Sequence, residues 1–340
     1  MLVRHLFGRR ARWAGGLILL VCCIGMPTPA LALPYWPASP QSPQARSITS
    51  LFWIVIAIAF VFLFLVEGLL VYIMVRFRRH PGQAEPRQVH GNHRLELWWT
   101  AIPLCILVGI FVLTVQAVVA ETSIAGNALP VTVIGHQWWW EFRYPTLNVV
   151  TANELHVPAG RAVRLELQSA DVVHNFWFPT LAGKEELIPG KTNVWTFTPD
   201  RPGTYDGDCS EYCGTEHAWM RLKLVAQTPQ DFDAWAAQQA APATPGTGSN
   251  ATAAVQLLAA NTCTSCHTVR GTPASGTVGP DLTHVGGRTT LGAGVLENNL
   301  PNMERWLRNP QEVKPGSLMP NLHLTDEQAA LLASYLEGLK

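Results

Sequence analysis

The chain has 340 residues, 48% of them hydrophobic, and a mean hydropathy of +0.13. That length suits two to three domains, and the apolar excess points toward a membrane-associated chain. Lys and Arg, 24, balance Asp and Glu, 24, so no net basic charge argues for nucleic acid and none is expected as a partner.

Arg4, Arg9, Arg10 and Arg12 precede an apolar run, and Ala30 and Ala32 fit a small-residue cleavage pattern. Residues 1–32 are therefore expected to be an export signal removed after use. An uncleaved anchor, or a lipid on Cys22, are the other readings. A transmembrane hairpin is expected over 33–120, with spans at 48–75 and 95–120, since roughly 20 apolar residues cross a bilayer. Arg76, Arg78, Arg79, Arg87 and Arg94 lie between the spans, with Glu85 the only acid among them. Such a loop stays in the cytoplasm. Everything after residue 120 then lies on the outer, periplasmic side of a bacterial inner membrane. An acid within a span is a functional candidate by default. Glu96, near the cytoplasmic end, is open between proton uptake and simple hydration, and Glu67 in mid-span has no assigned role.

From residue 130 the pattern changes. The stretches 131–135, 148–157, 161–168 and 192–197 are short, rich in β-branched residues and bounded by Gly, Pro and Asn, and 220–225 alternates with period two, which predicts a β-sandwich. Residues 201–207 read as a turn. After them come Cys209, Cys213, His217 and Met220, with His174 upstream. Soft sulfur combined with imidazole suits copper, and a mononuclear blue-copper site takes one Cys, two His and a weak Met. The additional thiol suggests a thiolate-bridged, dinuclear centre. A helix face carrying residues 209, 213 and 217, or a Cys209–Cys213 disulfide, are the structural alternatives.

A short helix at 231–239 leads to 237–251, whose Ala, Pro, Gly and Thr predict a flexible linker. An apolar helix at 252–261 then precedes Cys263, Cys266 and His267, the C-x-x-C-H signal for covalent attachment of a c-type haem. A thioredoxin-like redox motif is the rival reading. Thr325 and Gln328 have capping-box spacing ahead of a last helix whose apolar face carries Leu331, Leu332, Tyr335 and Leu336. His284 and His323 read as surface or packing residues.

Residues 48 to about 236 resemble subunit II of the haem–copper cytochrome c oxidases. The likeness rests on the 209–220 loop and on 93–103, 135–142, 171–174 and 188–190. Residues 252–340 resemble class I cytochromes c through Cys263, Cys266, His267, Gly279, Pro280 and the segment 314–320. The resemblance implies a two-helix hairpin, a cupredoxin-like copper domain over 121–236 and an all-α cytochrome c domain over 252–340. It also implies a copper pair bridged by Cys209 and Cys213. His174 and Met220 would complete one copper, and His217 with the Glu211 carbonyl the other. The Glu211 carboxylate would reach a magnesium shared with subunit I. Trp138 would receive electrons, and Glu96 would sit at the mouth of a proton channel. Position 139 is Trp where the family often has Tyr. For the haem, Cys263 and Cys266 attach it, and His267 and Met319 are the expected axial ligands, a pair that raises its potential; Met303 is the rival to Met319. The implied function is electron transfer from a cytochrome c or other periplasmic donor to subunit I, with oxygen reduced to water there and protons pumped. Subunits I and III are the implied partners. A membrane-tethered electron carrier without an oxidase partner is the alternative.

Overall fold

A computed structural model describes residues 39–122, 126–243 and 249–340; the export signal expected over 1–32 lies outside the described residues. Helix α1 (Pro43–Arg76) starts at Ser42, whose hydroxyl oxygen accepts from the Ala45 amide at 2.9 Å, with Pro43 just inside the helix. Helix α2 (His93–Thr122) is capped reciprocally. The Asn92 side chain accepts from the Leu95 amide at 3.3 Å, and Glu96 Oε1 accepts from the Asn92 amide at 3.2 Å. The apolar side chains of both helices point outward, Phe64 at 69% and Phe111 at 67% exposure. Faces this apolar and this exposed need lipid around them.

At 34 residues and about 1.5 Å rise each, α1 is longer than a hydrocarbon core of about 30 Å requires. Its first turn and the two residues before it anchor the outer domain. The Gln41 amide donates to the Thr180 carbonyl at 2.7 Å, the Ser42 hydroxyl donates to the Leu181 carbonyl, and Arg46 pairs with Asp200. The arginine loop lies at the other end of the hairpin.

The sandwich holds two five-stranded sheets. One has the order β3 (Val149–Ala152), β2 (Trp139–Tyr144), β1 (Leu129–His136), β5 (Val163–Ser169) and β8 (Asn193–Phe197). The other runs β4 (Glu154–Pro158), β10 (Arg221–Gln227), β9 (Gly203–Cys209), β6 (His174–Trp177) and β7 (Glu185–Leu187). Burial alternates along β1 and β5, as the two-residue strand period demands. The inward faces join in a core that includes Trp140, Phe142, Leu165, Phe176, Phe178 and Phe197.

Two stretches differ from the sequence expectation. Residues 148–157 form two strands in different sheets. Asn153 at φ 63 breaks the run, and both its amide and its side-chain oxygen bond to the Trp140 backbone at 2.9 Å. Asn tolerates this left-handed conformation better than most residues. Residues 201–207, expected as a turn, lie mostly in β9. Gly207 made the stretch look turn-like, but a Cβ there would stand 2.6 Å from the Phe178 ring. The glycine makes room for core packing.

Helix α3 (Pro229–Ala240) lays Phe232 and Trp235 on the sandwich, Trp235 stacking on His156 at 4.2 Å. The expected linker is helical as far as Ala240, and the Ala243 amide then donates to the Arg270 carbonyl at 3.0 Å; residues 244–248 lie outside the described residues. The C-terminal unit contains α4 (Ser249–Ala260), α5 (Cys263–Cys266), a small ladder of β11 (Thr290–Leu291) with β12 (Leu296–Glu297), α6 (Leu300–Arg308), α7 (Pro310–Val313) and α8 (Asp326–Glu337). It has its own core, including Ala254, Leu258, Leu307, Leu332 and Leu336. Both hydrogen bonds of the Thr325–Gln328 capping box are made.

Candidate functional site

The copper-type donors converge from three places in the sandwich. β6 and β9 pair with Phe176 opposite Cys209, which sets His174 at the start of one strand near Cys209 at the end of the other. The Cys209 amide donates to the Met220 carbonyl at 3.1 Å, closing the loop that carries Cys213 and His217. Gly135 on β1 completes the floor: a Cβ there would lie 2.8 Å from the His174 ring. Ligand atoms of His174, Cys209 and Cys213 lie within 4.8 Å of one another. The Cys213 sulfur is 3.8 Å from the Cys209 sulfur, 3.7 Å from His217 Nδ1 and 3.8 Å from the Met220 sulfur. The Cys209 sulfur is 3.3 Å from the Glu211 carbonyl. Cys209 ends a strand and His217 opens a 3-10 turn, so the helix-face alternative fails, and both thiols are free.

The buried His174 tests whether these residues fit a metal. Its Nε2 bonds to Asp171 Oδ1 at 2.8 Å, while Nδ1, fully buried, has no partner. Burial raises the Asp171 carboxyl, but hydrogen bonds from His174 and from the Val172 and Gln137 amides outweigh it and hold the group below its ordinary value. With the ionised carboxylate holding Nε2–H, Nδ1 is the ring atom left to meet a metal, which is how a second partner orients a ligating histidine. The Cys209 thiol is pulled below the usual thiol range, mainly by the hydrogen bond from Cys213 and against burial. Two sulfurs, two imidazoles, a thioether and a carbonyl fit copper. Asp171 enters the sequence pattern only within the 171–174 segment; an acid three residues before a candidate ligand His is the signal that marks it.

The Glu211 carboxylate is exposed. Among the described residues the one cluster of three or more His, Cys, Asp or Glu able to hold a metal is His174, Cys209 and Cys213, and the Glu211 carboxylate is not part of it. Glu96 caps α2 at the loop end of the hairpin, and Glu67 is exposed in mid-helix.

The three tryptophans have three different settings, Trp138 just before β2 and the other two in it. Trp140 is fully buried and meets His174 edge-on at 6.0 Å. Trp139 stacks on His136 at 4.2 Å. Trp138 is half-buried, and its indole donates to the Cys213 carbonyl at 3.0 Å.

A cavity of about 490 Å³ lies where the C-terminal unit meets the sandwich. Cys263, Cys266, His267 and Met319 line it from one side, Trp138 and Trp139 from the other. His267 Nδ1 lies 2.7 Å from the Pro280 carbonyl, which can only accept, so Nδ1 carries the proton and Nε2 keeps its lone pair. Burial holds His267 below its ordinary value, which keeps it neutral as an axial ligand must be. The Arg288 guanidinium, also lining the cavity, is buried with its Nε unpartnered. Paired thiols, a neutral imidazole, a thioether and a cation with one N–H still unpartnered fit a covalent haem with its carboxylates. Met303 also reaches the cavity from α6, so both candidate thioethers border it. Gln311 holds the Met319 loop, donating to the Ser317 and Met319 carbonyls at 2.7 and 2.8 Å.

Comparison with known proteins follows this layout. Residues 35–116 match the cytochrome c oxidase subunit II transmembrane domain, 146–227 the subunit II periplasmic domain and 251–340 cytochrome c. Cytochrome c oxidase subunit 2 of Alkalihalophilus pseudofirmus is 36% identical over 88% of this chain and 90% of its own length. Its namesake in Bacillus subtilis is 33% identical over 79% and 82%. The crystal structure of the periplasmic domain of cytochrome oxidase subunit II of Bradyrhizobium japonicum is 27% identical, with a TM-score of 0.34 over 34% of this chain and 96% of that one.

Proposed function

This chain belongs to the cytochrome c oxidase subunit II family, and from that premise we propose that it carries electrons from a cytochrome c or other periplasmic donor, by way of haem c and dinuclear copper, to oxidase subunit I. It is a two-pass membrane subunit of an oxidase complex, with a C-terminal cytochrome c domain and its soluble domains on the side away from the arginine loop. Oxygen reduction to water and proton pumping are assigned to subunit I.

The observation that carries this reading is the cavity at the domain junction: the haem-type ligands face the same indole that hydrogen-bonds to the backbone of copper-loop Cys213. Bound haem c and the copper pair would supply the one-electron redox states. Cys263 and Cys266 would hold the haem covalently, His267 and Met319 would ligate its iron, and Arg288 would neutralise its carboxylates. Cys209 and Cys213 would bridge the coppers, with His174 and Met220 on one and His217 and the Glu211 carbonyl on the other. Asp171 fixes the tautomer of His174, and Trp138 links the two sites. The exposed Glu211 carboxylate would meet subunit I, whose own residues would have to complete any magnesium site, and Glu96 would face a proton channel there. Subunit III is the further expected partner.

Absorption and electron paramagnetic resonance of the full chain purified from its membrane test the reading. The expected result is a mixed-valence copper pair with low-spin haem c, together with a co-purifying haem-bearing subunit. A single type 1 copper signal, or isolation with no oxidase partner, would overturn it.

A further inference from the structure

The junction between the two soluble units contains two buried charges that take most of their hydrogen bonds from the opposite unit, although Glu154 Oε2 also lies 4.0 Å from His156 Nε2 on its own strand. Lys314, 3% exposed, leaves the Met319 loop and reaches into the sandwich. Its ammonium donates to the Trp138 and Trp219 carbonyls, both at 2.9 Å, and to the Gly292 carbonyl at 3.2 Å. In the other direction, Glu154 on β4 is 2% exposed, and its Oε1 accepts from the Thr289 amide at 2.7 Å, the Thr289 hydroxyl at 2.6 Å, the Thr290 amide at 3.0 Å and the Thr290 hydroxyl at 3.3 Å.

An ammonium has three donors and no acceptor, and here three carbonyls meet it. A buried charge is tolerated only when such bonds are made, and leaving one bare is costly. Two of the three carbonyls around Lys314, and all four donors to Glu154, come from the other unit. Each charge is therefore satisfied without water only when the units meet in this register. The surfaces between the two plugs agree. The Arg221 amide donates to the Ala293 carbonyl at 3.1 Å, and a Cβ on Gly294, at φ +81, would lie 2.8 Å from Arg221 Cβ. The contact is a close backbone approach, shaped for one orientation.

The same contacts join the two ligand loops. Lys314 grips the carbonyl of Trp138, whose indole donates to the Cys213 carbonyl, and the carbonyl of Trp219, next to Met220. Five residues further along its own loop lies Met319. We propose that Lys314 and Glu154 form a reciprocal latch that docks the cytochrome c domain on the copper domain, and that Lys314 is the positioning residue holding the haem cavity against Trp138. The docking half rests on the contacts alone; the positioning half rests on the proposed electron path. Burial lowers the Lys314 ammonium to about 8, so it keeps its charge at neutral pH.

The test uses the full chain with Lys314→Met and, from the other side, Glu154→Ala. Hydrogen exchange is read at amides 289–294 and 221, and exchange within β5 and α8 reports whether each domain stays folded. Either variant should speed exchange across the junction by at least about tenfold, with the two domain cores still protected. The double variant should be no worse than the more open single one, because one undocking breaks both plugs. Flash reduction of the haem, followed at the copper absorption, should show slower transfer in Lys314→Met with both spectra unchanged. Unchanged junction exchange in both variants would overturn the latch, and faster exchange with undiminished transfer would overturn the positioning role. If the unaltered chain lacked haem or copper spectra, the proposed function would fail instead, while the exchange measurement would still decide the docking.

Discussion

The indole nitrogen of Trp138 and the carbonyl of Cys213 are 3.0 Å apart, a direct hydrogen bond from an aromatic ring facing the cytochrome c domain to the backbone of a thiol in the copper loop. Gln137 Nε2 donates to the same carbonyl at 2.7 Å. Trp138→Phe should therefore leave that carbonyl satisfied, keep an aromatic ring in place and remove one hydrogen bond, costing about 1 kcal/mol of stability. The copper spectrum should persist while transfer from haem to copper slows. Stopped-flow or flash kinetics on the purified chain checks this, and an unaltered rate would remove Trp138 from the path.

Asp171 should matter through His174. With Asp171→Asn the imidazole loses an anionic partner, and copper affinity should fall about 10–100-fold, as second-partner substitutions do. Titration against a competing chelator measures it. The metal-free chain also loses charge-assisted bonds from His174 and from the Gln137 and Val172 amides, so its thermal midpoint should fall as well, and the affinity is read under conditions where the variant is still folded.

Glu141 gives the sandwich an acid-sensitive element. Burial would raise its carboxyl, but hydrogen bonds from His136 at 3.0 Å and Arg143 at 2.5 Å outweigh it, and the net shift is downward. A carboxyl lower in the folded than in the unfolded state contributes stability that is present above the unfolded value and is lost as pH falls through the folded one. Unfolding midpoints compared at pH of about 6 and about 3, either side of the usual Glu value, should differ less in Glu141→Gln than in the unaltered chain. An equal difference in both would show that Glu141 is not the group responsible.

What could be read from the sequence were the features fixed by local chemistry. The spans followed from uninterrupted apolar runs, the Thr325 cap from its spacing to Gln328, and the ligand candidates from residue types that few other roles demand. What could not be read depended on distant partners. The break at Asn153 needs the Trp140 backbone, thirteen positions away, to hold its amide and side chain. The strand through Gly207 shows itself only once Phe178 is seen to fill the space. Lys314 and Glu154 look like ordinary surface charges along the chain, because most of their hydrogen-bond partners come from the other unit, across the junction.

The two thioethers bordering the haem cavity differ in setting, and this separates them experimentally. Met303 is 2% exposed within α6, packed in the core of the cytochrome c domain. Met319 sits on a loop pinned by Gln311 and is only partly buried. If Met319 is the axial ligand, Met319→Leu should abolish the sulfur-to-iron absorption band and lower the haem potential, because a Met/His pair raises it. Met303→Leu is a near volume-conserving swap that should cost less than about 1.5 kcal/mol and leave the band in place. Absorption spectra and redox titration of the two variants give the answer, and loss of the band in Met303→Leu with its retention in Met319→Leu would reverse the assignment. The structural reason to expect the first outcome is reach. A side chain fixed within a packed helix has little freedom to move onto an iron, whereas a loop held by its carbonyls keeps its backbone in place and leaves the thioether free to turn toward the cavity.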